Sequence, residues 1–219
     1  MKIILAYSAK RPEKPEETDH SYPEEVKFVS YALQKKGHVV EPLNASLQIE
    51  NVVNRLRNFK PDLIFNLSRT DERRPGDYLY PAVFEQAGFA FTGSSSAALA
   101  VSTNRFLTRI YLREHNIPLP RCRQINRAAS RQIDFGGFFF PAVVKPNFER
   151  NNTFSRQICL TLDELLAEIE RTLQETDTVI VDEYFYGRDV SVFFIDGVSG
   201  QFLEPVEIIP AGKSSGVYP

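Results

Sequence analysis

The sequence predicts an α/β protein that begins with a parallel sheet and continues into an α+β region with antiparallel strands. Two observations predict the first part: short apolar strands at 2–7, 38–40 and 63–65, and amphipathic helices between them. Strand–helix alternation of this kind is typical of parallel sheets with right-handed crossovers. A third observation predicts the second part, because several short strands with a single helix among them follow residue 120.

The first predicted helix runs from about 23 to 36. Pro23 suits a first helical turn, and the carboxylates of Glu24 and Glu25 suit the positive end of the helix dipole. Gly37 is predicted to end the helix. Because ligands of open parallel sheets bind beyond the carboxyl ends of the strands, residues 7–8, 66–68 and 92–94 are expected on the ligand side.

The second region is predicted to begin near Ser102, with Thr103 as the cap of a helix that continues to Glu114. Further along, Thr161 and Glu164 form the sequence pattern of a capping box. The helix that it opens has apolar residues at helical spacing: Leu162, Leu165, Leu166, Ile169 and Leu173.

Composition excludes several classes of partner. The chain has 219 residues, 42% hydrophobic and 25% charged, with a formal net charge of −2. That balance favours neither nucleic acid nor an anionic membrane as a partner. The apolar run near Met1 is too short for a signal peptide or a membrane span, so a cytoplasmic protein is expected. Cys122 and Cys159 lack metal-ligand spacing and are expected to be buried, reduced thiols.

A lysine stands at the end of an apolar strand. Lys145 follows residues 141–144, and a lysine in this position can place a point charge on phosphates. A solvated lysine at a strand end is the alternative. Arg105 and Arg109 lie four residues apart on one helix face, where they either contact phosphates or form a solvated basic face.

Two acids follow another apolar strand. Asp182 and Glu183 come directly after residues 178–181. Such a strand can offer a backbone N–H and C=O to an adenine edge, and Asp189 can accept from ribose hydroxyls. The alternative is an acidic turn between two strands. The loop at 149–154, which follows Lys145, contains no glycine, whereas loops that cradle phosphates usually need glycines.

Seven segments, in this order, resemble motifs of the D-alanine–D-alanine ligase branch of the ATP-grasp superfamily. They are residues 60–66, 91–94, 104–109, 117–120, 141–146, 187–189 and 205–208. The resemblance implies an N-terminal, Rossmann-like preATP-grasp domain at 1–101 followed by an incomplete α+β ATP-grasp domain. In that domain the N-terminal lobe is expected at 102–180, and the start of a truncated C-terminal lobe at 181–219.

The resemblance also implies roles for individual residues. Arg105 and Lys145 are expected to contact the phosphates of ATP. Glu25, favoured over Glu24, is the expected catalytic acid near the amino group of the first substrate. The remaining cofactor-binding residues are Asp182, Glu183 and Phe185 around the adenine, with Phe185 acting through its backbone, and Asp189 at the ribose.

The implied activity is that of an ATP-dependent carboxylate–amine ligase that works through an acylphosphate, with Mg²⁺ between the phosphates. The expected partner is an amino acid or small carboxylate substrate, the expected pathway is peptidoglycan precursor synthesis, and a homodimer is compatible with the resemblance. The metal ligands of such enzymes are expected after residue 219, so the chain is expected to be an inactive fragment. The alternative is a degenerate, non-catalytic module that binds nucleotide weakly or acts as an interaction domain.

Overall fold

The computed structural model of the protein describes residues 1–8, 23–69, 76–128, 139–148, 157–188, 190–193 and 203–207. The chain divides into two compact units, 1–108 and 109–219. The three-part division at 101 and 180 stays a prediction.

The first unit contains a parallel sheet, as predicted. Its elements are β1 (Lys2–Tyr7), α1 (Glu24–Lys35), β2 (Val39–Asn44), α2 (Ile49–Phe59), β3 (Leu63–Leu67), α3 (Leu79–Gln86) and α4 (Ser96–Ser102). The strand order is β2-β1-β3, and both neighbours of β1 run parallel to it. The predicted helix stop is confirmed, because Gly37 follows α1 with a φ of 82°, a conformation that favours glycine.

Side chains from the sheet and from α2 and α3 form the core of the first unit. Its buried members are Ile4, Ala6, Leu43, Val52, Leu56, Ile64 and Phe84. Hydrogen bonds connect the segments at the carboxyl end of this sheet. Asn66 N donates to Thr92 Oγ1 at 3.0 Å, and Arg69 N donates to Ser8 Oγ at 2.8 Å. The segments expected on the ligand side therefore meet at one edge of the sheet.

The start of the next helix differs from the prediction. Helix α5 spans Arg105–Glu114, and Thr103 is the last cap of α4 instead of the first cap of α5. The side chain of Asn104 accepts from Leu107 N at 3.0 Å and so caps α5. Thr103 Oγ1 instead donates to the Leu99 carbonyl one turn back at 2.7 Å. The expected cap at Thr103 was wrong because α4, which the sequence analysis missed, precedes it.

The second unit contains the predicted antiparallel sheet. Its elements are β4 (Cys122–Asn126), β5 (Ala142–Pro146), β6 (Ile158–Cys159), α6 (Leu162–Leu173), β7 (Thr178–Glu183), β8 (Val190–Ser191) and β9 (Val206–Glu207). The main sheet has the order β4-β7-β5-β6, with every neighbouring pair antiparallel. Strands β8 and β9 form a separate antiparallel pair.

Helix α6 begins at the predicted capping box. Thr161 Oγ1 accepts from Glu164 N at 3.3 Å, while the Glu164 carboxylate accepts from Leu160 N at 2.7 Å, one residue before the cap. Leu165 and Ile169 are buried against the sheet, whereas Leu166 is 37% exposed. The full core cluster is Ile125, Ala142, Val144, Cys159, Leu165, Ile169, Leu173, Val179 and Val181.

Candidate functional site

Strand register determines which side chains share a face of the second sheet. Val143 pairs with Asp182, and Lys145 pairs with Ile180. Because side chains alternate along a strand, these four residues lie on the face opposite to the one that packs against α6. Asp182 and Lys145 are therefore diagonal neighbours on adjacent strands, within reach of each other.

A charged cluster forms on this face. Lys145 Nζ donates to Asp182 Oδ2 at 3.1 Å, and Arg109 of α5 donates to the same oxygen at 2.5 Å. The Asp182 side chain is only 2% exposed, while those of Arg109 and Lys145 are 15% and 26% exposed. A single buried carboxylate thus binds two cations, and the three groups together carry one net positive charge.

The second carboxylate oxygen of Asp182 is buried and unpaired. Among the described residues, Oδ1 has no hydrogen-bond partner. A buried acceptor without a donor costs about 1–3 kcal/mol. The arrangement therefore favours a ligand that brings an N–H or O–H group to this atom.

Cys122 lies beside Asp182, because the two residues are register partners in β4 and β7. Burial is the main cause that raises the pKa of the Cys122 thiol, and the positive charge of Arg109 partly opposes it. The structure leaves Cys122 half-buried, so the expectation of a buried thiol was wrong for this residue. For Cys159, which is buried, the expectation is confirmed.

Glu183 lies on the other face of the sheet from Asp182, by the alternation of side chains along β7. Its carboxylate accepts from Arg121 Nε at 3.1 Å and from Arg121 Nη2 at 3.0 Å. These hydrogen bonds are the main cause that lowers the pKa of the Glu183 carboxyl. Arg121 also stacks over the Phe139 ring at 4.7 Å. The structure therefore does not bring Glu183 together with Lys145.

The chain leaves β7 through a run of aromatic residues. Tyr184 N donates to the Pro141 carbonyl at 2.9 Å, which fixes the first residue after the strand. The Phe185 side chain that follows is 64% exposed, and the rings of Tyr184 and Tyr186 meet edge to face at 4.8 Å. The predicted contact of Phe185 with adenine involves its backbone, and the exposed side chain is compatible with that role.

Three other predicted residues lie elsewhere. Glu25 is exposed in the first turn of α1, and Arg105 is the half-buried first residue of α5. Asp189 and the glycine-free loop at 149–154 fall outside the described residues. The roles of all seven predicted residues stay predictions. The sequence did not predict the ion pair between Arg109 and Asp182, although it placed Arg105 and Arg109 on one helix face.

The described residues contain no group of three or more His, Cys, Asp or Glu side chains that could hold a metal ion. No described helix has the length and apolar character needed to cross a bilayer.

Sequence comparison finds curated relatives across most of the chain. The D-alanine–D-alanine ligase of Aquifex aeolicus is 30% identical over 193 residues, which are 88% of this chain and 62% of that enzyme. The D-alanine–D-alanine ligase of Gluconobacter oxydans is 29% identical over 181 residues, 82% of this chain and 57% of that enzyme. The chain thus spans about three fifths of the length of these two relatives. No protein-family model matches the chain.

Comparison with solved structures gives the fold. D-alanine–D-alanine ligase from Bacillus anthracis, complexed with ATP, matches with a TM-score of 0.73 and 17% identity over 97% of this chain and 67% of that one. The D-alanyl-alanine synthetase A of Vibrio cholerae matches with a TM-score of 0.65 and 16% identity over 96% of this chain and 68% of that one.

The parallel sheet, the antiparallel sheet and these matches give the chain the fold of D-alanine–D-alanine ligase structures. By sequence, the chain is similar to D-alanine–D-alanine ligases over most of its length, as the seven segments predicted.

Proposed function

We propose that this chain binds the ATP of an ATP-dependent carboxylate–amine ligase that resembles D-alanine–D-alanine ligase. The observation that carries the proposal is the charged cluster on the face of the second sheet opposite to α6. There Lys145 Nζ lies 3.1 Å from Asp182 Oδ2, on the neighbouring strand. These are the residues that the resemblance predicted for phosphate and adenine contacts.

The residues of this cluster fit a nucleotide. The net positive charge of Lys145, Arg109 and Asp182 suits a phosphate chain, and partial burial keeps that charge from being fully screened by salt. The unpaired Oδ1 of Asp182 suits the amino group of adenine, which can donate to it. The backbone of Phe185 would complete the adenine contacts, and Arg105 would add a phosphate contact.

In the proposed reaction a carboxylate takes a phosphoryl group from ATP, and an amine then displaces phosphate from the acylphosphate. Glu25 would approach the amino group of the first substrate, an amino acid. Bound Mg²⁺ would supply charge neutralisation between phosphate oxygens. The proposed homodimer is based only on the resemblance to D-alanine–D-alanine ligases.

A specific observation favours a second candidate function. The segment at 149–154 contains no glycine, and Phe154 stands where backbone would approach phosphate in the enzymes that the chain resembles. A chain with this loop would bind nucleotide weakly, or act as an interaction domain, without ligase activity. Both candidates require the same fold, so only binding and turnover separate them.

The binding test is a thermal-shift titration of the 219-residue chain with ATP and Mg²⁺. A ligand that binds only the folded state at 100 times its Kd stabilises it by about 2.7 kcal/mol. We expect Lys145→Ala to abolish the shift. Lys27→Ala is a matched control, since Lys27 also forms an ion pair, with Glu24 at 2.9 Å, but lies in the first unit.

An unchanged shift in Lys145→Ala would refute the assignment of the phosphate site. Phosphate release above background with D-alanine and MgATP would support the ligase. Because the chain is expected to be inactive by itself under the ligase proposal as well, a thermal shift without release is compatible with both candidates.

A further inference from the structure

The two cations of the cluster do not bind Asp182 equally. Both donate to Oδ2, but the Arg109 side chain is 15% exposed and that of Lys145 is 26% exposed. A guanidinium is also less strongly hydrated than an ammonium and therefore suits a buried ion pair better. Arg109 is therefore the principal counterion of Asp182.

Charge balance gives this difference a consequence. Without Arg109, Lys145 and Asp182 would form a neutral pair, and the carboxylate would compete with any phosphate for the lysine ammonium. With Arg109, the carboxylate is already neutralised, and the charge of Lys145 remains for a ligand. The effect is strong here because charges that are partly buried interact through a lower effective dielectric than charges in bulk water.

We propose that Arg109 is a positioning residue that neutralises Asp182 and thereby makes Lys145 available to the phosphate chain of the ligand. This inference rests on the proposed nucleotide-binding function and extends it to a residue outside the predicted site. The role requires the charge of Arg109 but no contact between Arg109 and the nucleotide.

The test uses inorganic triphosphate as the probe, because it lacks the base that Asp182 would recognise. Isothermal titration calorimetry would compare five forms of the 219-residue chain: the unchanged protein, Lys145→Ala, Arg109→Met, Asp182→Asn, and the double variant of Arg109→Met with Asp182→Asn. We expect Arg109→Met to weaken triphosphate binding by about tenfold or more, since it leaves the Lys145–Asp182 pair neutral. Asp182→Asn should strengthen binding by a similar factor.

The double variant is decisive. Arg109→Met combined with Asp182→Asn restores one net positive charge on Lys145, so we expect affinity within about threefold of the unchanged protein. A merely structural role of the ion pair predicts the opposite, because losing both partners would not restore binding. If Arg109→Met alone fails to fold, the single Asp182→Asn variant and the double variant still carry the comparison.

Two control variants test whether the charge of Arg109, its exact shape or the loss of any paired arginine affects triphosphate binding. Arg109→Lys keeps the charge and should bind triphosphate within about threefold of the unchanged protein. Arg171→Met removes an arginine that pairs with another buried acid, Glu168, at 2.6 Å. Because Arg171 belongs to α6, which packs against the other face of the sheet, its loss should leave triphosphate affinity unchanged.

Two outcomes would overturn the inference separately from the proposed function. Triphosphate binding that depends on Lys145 but is unaffected by Arg109→Met leaves the function standing and rejects the role of Arg109. A double variant that binds as weakly as Arg109→Met also rejects it. Absence of Lys145-dependent binding in the unchanged protein rejects the site itself, and the role of Arg109 with it.

Discussion

Asp182 and Glu183 are consecutive in the chain, yet their carboxylates bind different arginines on opposite faces of the same sheet. Asp182 binds Arg109, and Glu183 binds the guanidinium of Arg121 through two hydrogen bonds. The alternation of side chains along β7 separates the two acids, although the sequence presents them as one acidic pair. Their contributions to ligand binding and to stability should therefore separate as well.

The first prediction concerns Glu183. The variant Glu183→Gln should lower stability slightly at neutral pH, because exposed ion pairs contribute little. It should change MgATP binding much less than Asp182→Asn does. Thermal shift with and without MgATP measures both quantities, and an equal loss of nucleotide binding in the two variants would contradict the separation.

The same residue predicts a pH dependence. The pKa of Glu183 is lowered in the folded protein by its hydrogen bonds to Arg121. Its contribution to stability is therefore present above the pKa of the unfolded chain and is lost as pH falls through the folded pKa. Urea unfolding from pH 7 to pH 3 should show a smaller loss in Glu183→Gln than in the unchanged protein. Parallel curves for the two proteins would contradict this prediction.

Because of Cys159, the stability of the folded protein should fall as pH rises in the alkaline range. Burial, with smaller contributions from Glu168 and Glu164, raises the pKa of its thiol to about 11 from an ordinary value of 9.0. The unfolded chain ionises this thiol first, so stability should fall as pH rises from about 9 to about 11. The variant Cys159→Ala should lose less stability over that window, as measured by urea unfolding. Tyrosines and lysines titrate in both proteins and therefore cancel in the comparison.

The two cysteines should also differ in reactivity. Cys159 is fully buried and should resist a disulfide reagent until the protein unfolds, whereas the half-buried Cys122 should react slowly in the native state. Because Cys122 is the register partner of Asp182, MgATP should slow its modification. Peptide mapping after timed labelling measures both rates. Protection that persists in Lys145→Ala at the same MgATP concentration would argue against a nucleotide at this face.

A pair of adjacent leucines tests the packing of α6. Leu165 is fully buried in the core of the second unit, whereas Leu166 is 37% exposed. We expect Leu165→Ala to lower the free energy of unfolding by about 2–5 kcal/mol, because it leaves a cavity. The control Leu166→Ala should change it by about 0.5 kcal/mol or less. Similar losses in both variants would contradict the assigned face of the helix.

Much of the fold could be predicted from local patterns. The apolar runs at 2–7 and 178–181 are strands, and Gly37 ends the first helix. The local patterns failed for short elements. Because α4 was not predicted, the cap of α5 was expected at Thr103 instead of Asn104. An alanine-rich segment of seven residues has no apolar stripe that would reveal a helix.

The site was harder to predict because its geometry depends on pairing between distant segments. The sequence indicates Lys145 and Asp182 by separate patterns, and only the register of β5 against β7 brings their side chains to one face. Arg109 comes from a helix far earlier in the chain, and no local pattern indicates that it binds a carboxylate 73 positions away.

The register of β5 against β7 has a further consequence for folding. A shift by one residue would turn the Lys145 ammonium toward Leu165 and the other apolar side chains beneath α6. An unpaired ammonium in that environment is costly, so a misaligned chain would be unstable even if every backbone hydrogen bond were made. The charged residues that attract a ligand therefore also act as an alignment check while the sheet assembles.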